Sequence, residues 1–283
     1  MEIKSIGVIG AGQMGSGIAQ VAAQFSIDVQ LLDLNAAAAE RGRDRIAAGL
    51  DARVKRGKLD AAERDAIVSH IHAAANYDAL AMVEIVIEAA EENVQVKCDV
   101  FRRADAAAQA ARVLATNTSA IPITKLASTV SRPHQVIGMH FMNPAPVMRL
   151  VEIIRALQTD DATSETAHQF AAQLDKEVIS AGDMPGFIVN RMLIPFLNEA
   201  CFALQEGLGK PEDIDRGAQL GLNHPMGPLQ LADLIGLDTV LYMAEVLHRE
   251  LGEDKYRPPT ILRNHVAAGW LGRKTGRGFY KYK

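Results

Sequence analysis

The sequence predicts an α/β protein: a doubly wound, mostly parallel sheet domain followed by an all-α domain. Two observations lead to this fold class. Short apolar strands alternate with helical, alanine-rich stretches as far as residue 184, and beyond it the helical pattern continues with no interleaved strand. Alternating strands and helices are typical of a parallel sheet covered by helices on both faces. We therefore expect a sheet domain at residues 1–184 and a helical C-terminal domain at residues 185–283.

The individual strands are short apolar runs that end at turns or at helical stretches. They are predicted at residues 3–9, 29–32, 83–87, 113–116, 136–140, 150–154 and 178–181. Helices are predicted within residues 35–69, 94–110 and 164–175. The sequence GDMPG at 182–186 interrupts this pattern. Residues 186–207 are then apolar nearly all round, which is typical of a buried helix, here with a kink at Pro195.

The composition of the 283 residues limits the partners of the protein. Hydrophobic residues make up 48% and the formal net charge is -4, which is typical of a soluble globular protein and gives no general attraction to nucleic acid. We expect no membrane span, no targeting peptide and a cytoplasmic location, because no long uncharged apolar run occurs and a strand begins near the first residue. Cys98 and Cys201 lack metal-site spacing, so we expect free thiols and no metal.

A glycine-rich turn follows the first strand and opens the first helix. It consists of Gly10, Ala11, Gly12, Gln13, Met14 and Gly15. These residues match the G-x-G-x-x-G pattern of Rossmann-type folds, in which glycines permit the tight turn, the approach of a pyrophosphate and close helix packing. Asp33 ends the second strand, where a carboxylate binds an adenosine ribose and repels a 2′-phosphate. NAD is therefore the expected cofactor, although Arg41 and Arg43 keep NADP open.

Residues 136–154 place a histidine at the end of one apolar strand and a glutamate inside the next. These are His140 and Glu152. A buried carboxylate needs a partner, and a carboxylate on one imidazole nitrogen fixes the tautomer in which the other nitrogen accepts a proton. Hydride transfer from a carbinol carbon needs such a base for the hydroxyl proton. The pair is therefore a candidate acid–base dyad; a core histidine beside an unrelated glutamate is the alternative.

Longer motifs resemble those of a known family. GAGQMG at residues 10–15, ATNTSA at 115–120, GMHFMNPAPVMRLVEII at 138–154 and MPGFIVNRMLIPFLNEA at 184–200 resemble the L-3-hydroxyacyl-CoA dehydrogenase family, above all its bacterial members that act on 3-hydroxybutyryl-CoA. The resemblance continues through residues 223–238 and 255–282, so it runs nearly end to end. It implies a reversible, NAD-dependent oxidation of a short-chain (S)-3-hydroxyacyl-CoA to the 3-oxoacyl-CoA. It also supports a homodimer formed through the apolar helical segment at residues 187–202.

The resemblance also implies roles for individual residues. It makes His140 the base for the 3-hydroxyl, Glu152 its orienting partner, and Ser119 a catalytic or substrate-contacting residue. Asn190, near the start of the second domain's first helix, would hold the substrate carbonyl across the interdomain cleft. The residues expected around the NAD, besides the glycine turn and Asp33, are Glu92, Lys97, Asn117, Ser119, Asn143 and Lys274. For Glu92 and Lys97 a solvated surface position is the alternative, and for Lys274 it is a loop that only closes the C-terminus.

A basic cluster occupies the turn of a predicted helical hairpin at residues 52–60. It consists of Arg53, Lys55, Arg56 and Lys58. A local group of cations can capture a polyanionic nucleotide although the whole protein is acidic. The resemblance places the phosphates of CoA here, and we favour Lys55 and Arg56 as their ligands. A solvated hairpin tip is the alternative.

Two residues depart from the family pattern, Ala120 and Met142, which stand where many members carry a serine and a phenylalanine. Neither change removes a proposed catalytic group, so they bear on substrate preference. Two other functions are open on the same sequence. A dehydrogenase of a non-CoA hydroxy acid or sugar acid would not need the basic cluster. A non-catalytic NAD-binding protein would predict a broken His140–Glu152 dyad.

Overall fold

The computed structural model describes residues 2–282. It divides into two compact units, the first ending at Asp183 and the second beginning at Met184. The strands of the first unit are β1 (Ser5–Ile9), β2 (Asp28–Leu32), β3 (Ile71–Ala73), β4 (Ile85–Glu88), β5 (Val113–Thr116), β6 (Val136–Phe141), β7 (Leu150–Arg155) and β8 (Glu177–Ala181). Its helices are α1 (Gln13–Gln24), α2 (Ala36–Lys55), α3 (Ala61–Ser69), α4 (Val94–Ala107), α5 (Ile123–Ala127) and α6 (Asp161–Gln173).

The strands of the first unit form one sheet in the order β3-β2-β1-β4-β5-β6-β7-β8. All neighbouring pairs are parallel except β6 and β7, which are antiparallel. Along the chain, β2 and β3 are added on one side of β1, and the strands from β4 onward are added on its other side. Ligands of doubly wound sheets bind at the carboxyl ends of the strands where this change of side occurs, here between β1 and β4. The predicted fold class, a mostly parallel doubly wound sheet followed by helices, is confirmed.

The sheet is held by apolar residues that the sequence places on its strands and on the facing helices. Val8 of β1 and Ile87 of β4 are fully buried, as is Ile18 of α1. Burying one such side chain stabilises the fold by about 1.5–3 kcal/mol. Strand β3 was not predicted, because it has only three residues and only the first of them is buried.

The second unit is helical in the part of it that the structure describes. Its helices are α7 (Val189–Gln205), α8 (Pro211–Gly221), α9 (Pro228–Ile235), α10 (Leu237–Leu251) and α11 (Thr260–Ala267). Helix α7 includes Pro195 and buries Ile194 and Leu197. Met192 on the same helix is 65% exposed in the single chain, so on that side the predicted burial could come only from a second subunit.

The end of the second unit is fixed by two buried carboxylates. Asp233 accepts hydrogen bonds from the Phe279 and Tyr280 backbone amides, both at 3.0 Å, and from the Tyr282 hydroxyl at 2.9 Å. Asp215 accepts one from the Tyr280 hydroxyl at 2.7 Å. Each buried carboxylate thus has the donors that it needs. Burial and the hydrogen bond to Asp233 raise the pKa of Tyr282 to about 12.

Both cysteines are free and buried, Cys98 in α4 and Cys201 in α7. Burial, with Asp233 and Asp215 nearby, raises the pKa of Cys201 to about 12, so its thiol stays protonated at neutral pH. Among residues 2–282, no helix has both the length and the apolar character to cross a membrane.

Candidate active site

The glycine turn connects β1 to α1 at the carboxyl edge of the sheet. Gly10 has a φ of +103°, and a Cβ on it would lie 2.5 Å from the Ala89 carbonyl oxygen. A Cβ on Gly15 would overlap the Gly10 carbonyl oxygen, whereas one on Gly12 would meet nothing within 4 Å. Gly10 and Gly15 are therefore needed for the turn and its packing. Gly12 leaves open space above the N-terminal end of α1, where backbone amides favour a phosphate.

A cavity of about 520 Å³ lies over this turn. Its lining includes Gly10, Gly12, Asp33 and Leu34 on one side and residues 89–91 on another. Asp33 Oδ2 accepts a hydrogen bond from the Ala11 amide and Oδ1 accepts one from the Leu34 amide, each at 2.7 Å. The carboxylate is thus fixed at the cavity wall. An open glycine cradle beside a fixed carboxylate fits the diphosphate and ribose of NAD.

The other residues of the turn connect it to its surroundings. Ala11 is buried, and its carbonyl accepts hydrogen bonds from the Ser16 hydroxyl at 2.9 Å and from the Arg45 guanidinium. Met14 is half-buried and packs against the core. Gln13 is exposed, and its Nε2 donates to Oδ1 of Asn143 at 3.1 Å. Asn143 follows β6, so this bond joins the glycine turn to the segment after His140.

The antiparallel pairing of β6 with β7 sets His140 directly opposite Glu152. Nδ1 of His140 lies 2.7 Å from Oε2 of Glu152. Glu152 is fully buried and His140 is 5% exposed. Because a carboxylate only accepts hydrogen bonds, Nδ1 carries the proton and Nε2 presents its lone pair. The two residues predicted as a dyad are therefore in contact, in the geometry that an imidazole base requires.

Ser119 faces the other nitrogen of the same imidazole. Its Oγ lies 3.1 Å from Nε2 of His140. The backbone of the 118–120 turn is held by Glu92, whose Oε1 accepts from the Ser119 amide at 2.9 Å, from the Ala120 amide at 3.3 Å and from the Thr118 hydroxyl. The structure thus brings Ser119, His140, Glu152 and Glu92 together.

Asn117 and Lys97, both expected around the NAD, have their side chains engaged within the protein. Asn117 is 9% exposed, and its Oδ1 accepts a hydrogen bond from the Phe141 amide at 2.9 Å, next to His140. The Lys97 ammonium is 1% exposed and lies 2.7 Å from Oε1 of Glu88. Burial raises the pKa of Glu88, and the ion pair with Lys97 opposes that shift.

Three residues near these loops were missed by the sequence analysis. Glu88 ends an apolar strand, and the signal that identified Glu152, a carboxylate within an apolar run, was present there too. Tyr77 and Arg103 line the cavity, with the Arg103 guanidinium carbon 4.1 Å from the centre of the Tyr77 ring. Burial raises the pKa of Tyr77, and the charge of Arg103 opposes that shift. No sequence motif brings these last two together, because they belong to a turn after β3 and to α4.

The remaining predicted residues lie away from this group or in the second unit. Lys55 ends α2 and Arg56 follows it, both exposed at the turn between α2 and α3. Asn190 is the second residue of α7 and is half-buried. Lys274 Nζ lies 2.6 Å from the Asp238 carboxylate. No group of three or more histidine, cysteine or acidic residues that could hold a metal occurs within residues 2–282.

A dinucleotide cradle beside a serine–histidine–glutamate chain defines an NAD-dependent dehydrogenase, and comparison with known proteins gives its family. The model of the 3-hydroxyacyl-CoA dehydrogenase NAD binding domain matches residues 5–184, and that of the C-terminal domain matches residues 186–282. The chain belongs to the 3-hydroxyacyl-CoA dehydrogenase family, and its first unit is the family's NAD-binding domain. The resemblance read from the sequence and the expected cofactor are thereby confirmed.

Individual relatives match along the whole chain. A 3-hydroxybutyryl-CoA dehydrogenase of Bradyrhizobium diazoefficiens is 48% identical over 281 residues, covering 99% of this chain and 96% of the relative. The crystal structure of (S)-3-hydroxybutyryl-CoA dehydrogenase from Ralstonia eutropha is 47% identical, with a TM-score of 0.93 and 100% of both chains covered. That of FadB2 from M. tuberculosis is 41% identical, with a TM-score of 0.96 and the same coverage.

Proposed function

We propose that the protein oxidises (S)-3-hydroxybutyryl-CoA and similar short-chain 3-hydroxyacyl-CoA esters to the 3-oxoacyl-CoA, reversibly and with NAD. The observation that carries this proposal is the chain Ser119–His140–Glu152, with 3.1 Å between Ser119 Oγ and His140 Nε2 and 2.7 Å between His140 Nδ1 and Glu152 Oε2. It is supported by family membership and by the names of relatives that match over the full length.

The proton chemistry follows from the arrangement of the dyad. Nε2 of His140 takes the proton of the substrate's 3-hydroxyl, while Nδ1–H stays bonded to Glu152. The buried carboxylate then faces an imidazolium and stabilises its charge. Ser119, within hydrogen-bond distance of Nε2, orients the same hydroxyl. In the reverse direction His140 returns the proton to the 3-keto oxygen.

The cofactor supplies the second half of the reaction: when bound, NAD accepts a hydride from C3 of the substrate. Gly10, Gly12 and the N-terminal end of α1 would hold its diphosphate, and Asp33 its adenosine ribose. Asn143, held by Gln13, would contact the nicotinamide end. We place Glu92 and Lys274 with these residues as further contributors to the NAD site.

We assign substrate binding to Asn190 and, separately, to Lys55 and Arg56. The amide of Asn190 would donate a hydrogen bond to the thioester oxygen, which fixes the acyl group. Lys55 and Arg56 are exposed cations at the C-terminal end of α2, and they would bind the phosphates of CoA. The phosphates of the CoA nucleotide are distant from the reacting carbon, so this contact contributes affinity and selects CoA esters over free acids.

We also propose that the protein works as a homodimer. The second unit exposes several large apolar side chains, among them Met192 at 65% and Leu220 and Leu222 at 69% each. Where such side chains form a contiguous patch, they offer a surface for a second copy of the chain. Sedimentation equilibrium of the purified protein tests this: a mass twice the 30.6 kDa of one chain is expected, and a 30.6 kDa species at micromolar concentration would contradict it.

The reaction is tested by following the NADH absorbance while purified protein reduces acetoacetyl-CoA, with free acetoacetate and NADPH in parallel. Turnover of the CoA ester with NADH is expected. His140→Ala should lower kcat by roughly 10² to 10⁴, the usual contribution of a general base. His72→Ala, which changes an exposed histidine of β3, is the matched control. Reduction of free acetoacetate alone would instead indicate a dehydrogenase of non-CoA acids.

A further inference from the structure

A buried ion pair lies beneath the loops of the proposed site. The Lys97 ammonium is 2.7 Å from Oε1 of Glu88, 3.2 Å from the Ala90 carbonyl oxygen and 3.3 Å from Oε2 of Glu92. An ammonium has three N–H donors. Three acceptors of the protein are therefore available for them, and the charge lies where solvent does not reach, with 1% exposure.

The Glu88 carboxylate also accepts hydrogen bonds at the ends of two neighbouring strands. It terminates β4 and accepts hydrogen bonds from the Ala90 amide at 2.6 Å and from the Thr116 hydroxyl at 2.7 Å. Thr116 terminates β5, and its Oγ1 accepts a hydrogen bond from the Thr118 amide at 3.2 Å. The carboxylate thereby joins the segment after β4 to the segment after β5.

Glu92 completes the connection to the reacting groups. Its Oε2 faces Lys97 at 3.3 Å, and its Oε1 accepts from the Ser119 amide at 2.9 Å. Ser119 in turn places its hydroxyl 3.1 Å from Nε2 of His140. A continuous series of polar contacts therefore leads from the buried pair to the imidazole.

We infer that Glu88 and Lys97 are positioning residues: their ion pair fixes Glu92, and through Glu92 the 118–120 turn, so that the Ser119 hydroxyl meets His140. The inference deepens the proposed function and rests on it. Replacing a buried ion pair by well-packed hydrophobic side chains of similar volume is often neutral for stability. We therefore assign the pair to the placement of the Ser119 hydroxyl rather than to the stability of the fold.

The test removes both charges at once in the double variant Glu88→Gln/Lys97→Met, which avoids a lone buried charge. We expect a Tm close to that of the wild type and a kcat for acetoacetyl-CoA reduction lowered about 10- to 100-fold, the cost of misplacing a reacting group by about 1 Å. The matched control is Asp105→Asn/Arg132→Met, which removes another largely buried ion pair of the same unit that contacts Ser131 rather than the 118–120 turn.

The decisive readout is coupling to Ser119. If the pair acts through this residue, the kcat of the triple variant Glu88→Gln/Lys97→Met/Ser119→Ala is less than threefold below that of Ser119→Ala alone. When Ser119→Ala is combined with the control variant instead, the two separate losses in kcat multiply. Histidine ¹⁵N NMR gives a second readout: the Nε2 resonance of His140 should move in the double variant as it does in Ser119→Ala. The inference would be overturned if the kcat losses of the double variant and of Ser119→Ala multiplied in the triple variant and the His140 resonance of the double variant stayed at its wild-type position.

Two other outcomes need a readout of their own: a double variant that does not fold, and a wild-type protein that does not reduce acetoacetyl-CoA. If the double variant does not fold, Glu92→Gln interrupts the same path at a side chain that is 28% exposed, and it must show the same coupling to Ser119 and the same shift of the His140 resonance. If the wild-type protein does not reduce acetoacetyl-CoA, the proposed function fails. The His140 resonance, which needs no substrate, then decides the inference alone.

Discussion

Gln13 and Asn143 are joined side chain to side chain, with 3.1 Å between Nε2 of Gln13 and Oδ1 of Asn143. One belongs to the first turn of α1 and the other to the segment that follows β6. The bond therefore links the cradle of the dinucleotide to the strand that carries His140.

Gln13→Ala removes this bond and leaves Asn143 free to rotate. A neutral hydrogen bond is worth about 0.5–1.5 kcal/mol, so we expect the KM for NADH to rise roughly 2- to 12-fold with a smaller change in kcat. Steady-state kinetics with varied NADH measures it. Gln169→Ala, which removes an exposed glutamine bonded to Glu165, is the control and should leave the KM unchanged. A wild-type KM for Gln13→Ala would remove Gln13 from the cofactor site.

Glu152→Gln tests the partner of the imidazole. A neutral amide no longer stabilises the imidazolium, and its NH₂ group competes for the wrong tautomer. We expect kcat to fall about 10- to 10³-fold, less than the loss in His140→Ala, because Nε2 can still accept a proton. The comparison needs kcat at saturating NADH and acetoacetyl-CoA, with thermal unfolding to show that the variant is folded. A kcat equal to that of the wild type would contradict the proposed role of Glu152 as the partner of His140.

Asp33 should decide between the two nicotinamide cofactors. Its carboxylate lines the cavity next to the glycine turn, where it would repel a 2′-phosphate. In Asp33→Asn we expect the ratio of kcat/KM for NADH to that for NADPH to fall about tenfold or more, since the loss of one close charge repulsion is worth roughly 1.4 kcal/mol. Asp44→Asn, an exposed carboxylate of α2, is the control. An unchanged ratio would place cofactor selection elsewhere.

The exposed cations at the C-terminal end of α2 should affect CoA esters only. For Lys55→Glu/Arg56→Glu we expect the KM for acetoacetyl-CoA to rise about tenfold or more and kcat to stay near the wild-type value, because the contact is distant from the reacting carbon. The wild-type KM should also rise with salt, and the variant should lose that dependence. Lys4→Glu, an exposed lysine of the same unit, serves as the control. A variant KM that matches wild type at low salt would contradict the assignment.

Asp105 should make the free energy of unfolding depend on pH in the acid range. Burial alone would raise the pKa of Asp105, but hydrogen bonds from Ser131 and the ion pair with Arg132 outweigh it and lower that pKa. A carboxyl whose pKa is lower in the folded state contributes stability above the unfolded value, about 3.9, and loses it as pH falls below that value.

The matching variant is Asp105→Asn. It should lower Tm at pH 7, with a loss of about 3–5 kcal/mol for breaking a buried pair. The Tm difference from wild type should shrink between about pH 5 and pH 3, and thermal unfolding across that range measures it. Parallel Tm curves for the two proteins would show that Asp105 does not titrate differently on folding.

The parts of the fold and site that were predicted are those with a local signal. The glycine turn combines a strand, a pattern of three glycines and a helix within a few residues. His140 and Glu152 lie on adjacent apolar strands, so a simple antiparallel pairing brings them together. Strand β3 has only three residues, too few for an apolar alternation to be distinguished from chance, so it gave no such signal.

The parts that were missed depend on contacts between distant segments. The burial of Lys97 against Glu88 at the end of β4 was not predicted, because helix patterns do not reveal which carboxylate a lysine meets. Its expected place at the cofactor stays a prediction. Likewise, the Tyr77–Arg103 pair forms only because the turn after β3 packs beside α4. Such pairs require the three-dimensional arrangement of the sheet, which sequence patterns specify only in outline.

The antiparallel register of β6 and β7 has a consequence for how the protein loses activity. His140 and Glu152 are directly opposite each other in the ladder, so a slip of one residue would turn Glu152 to the opposite face of the sheet. The two residues of the proposed dyad therefore stay opposite each other for as long as these two strands remain paired. Melting of the sheet by heat or denaturant should then abolish activity, so that activity cannot outlast the intact N-terminal unit.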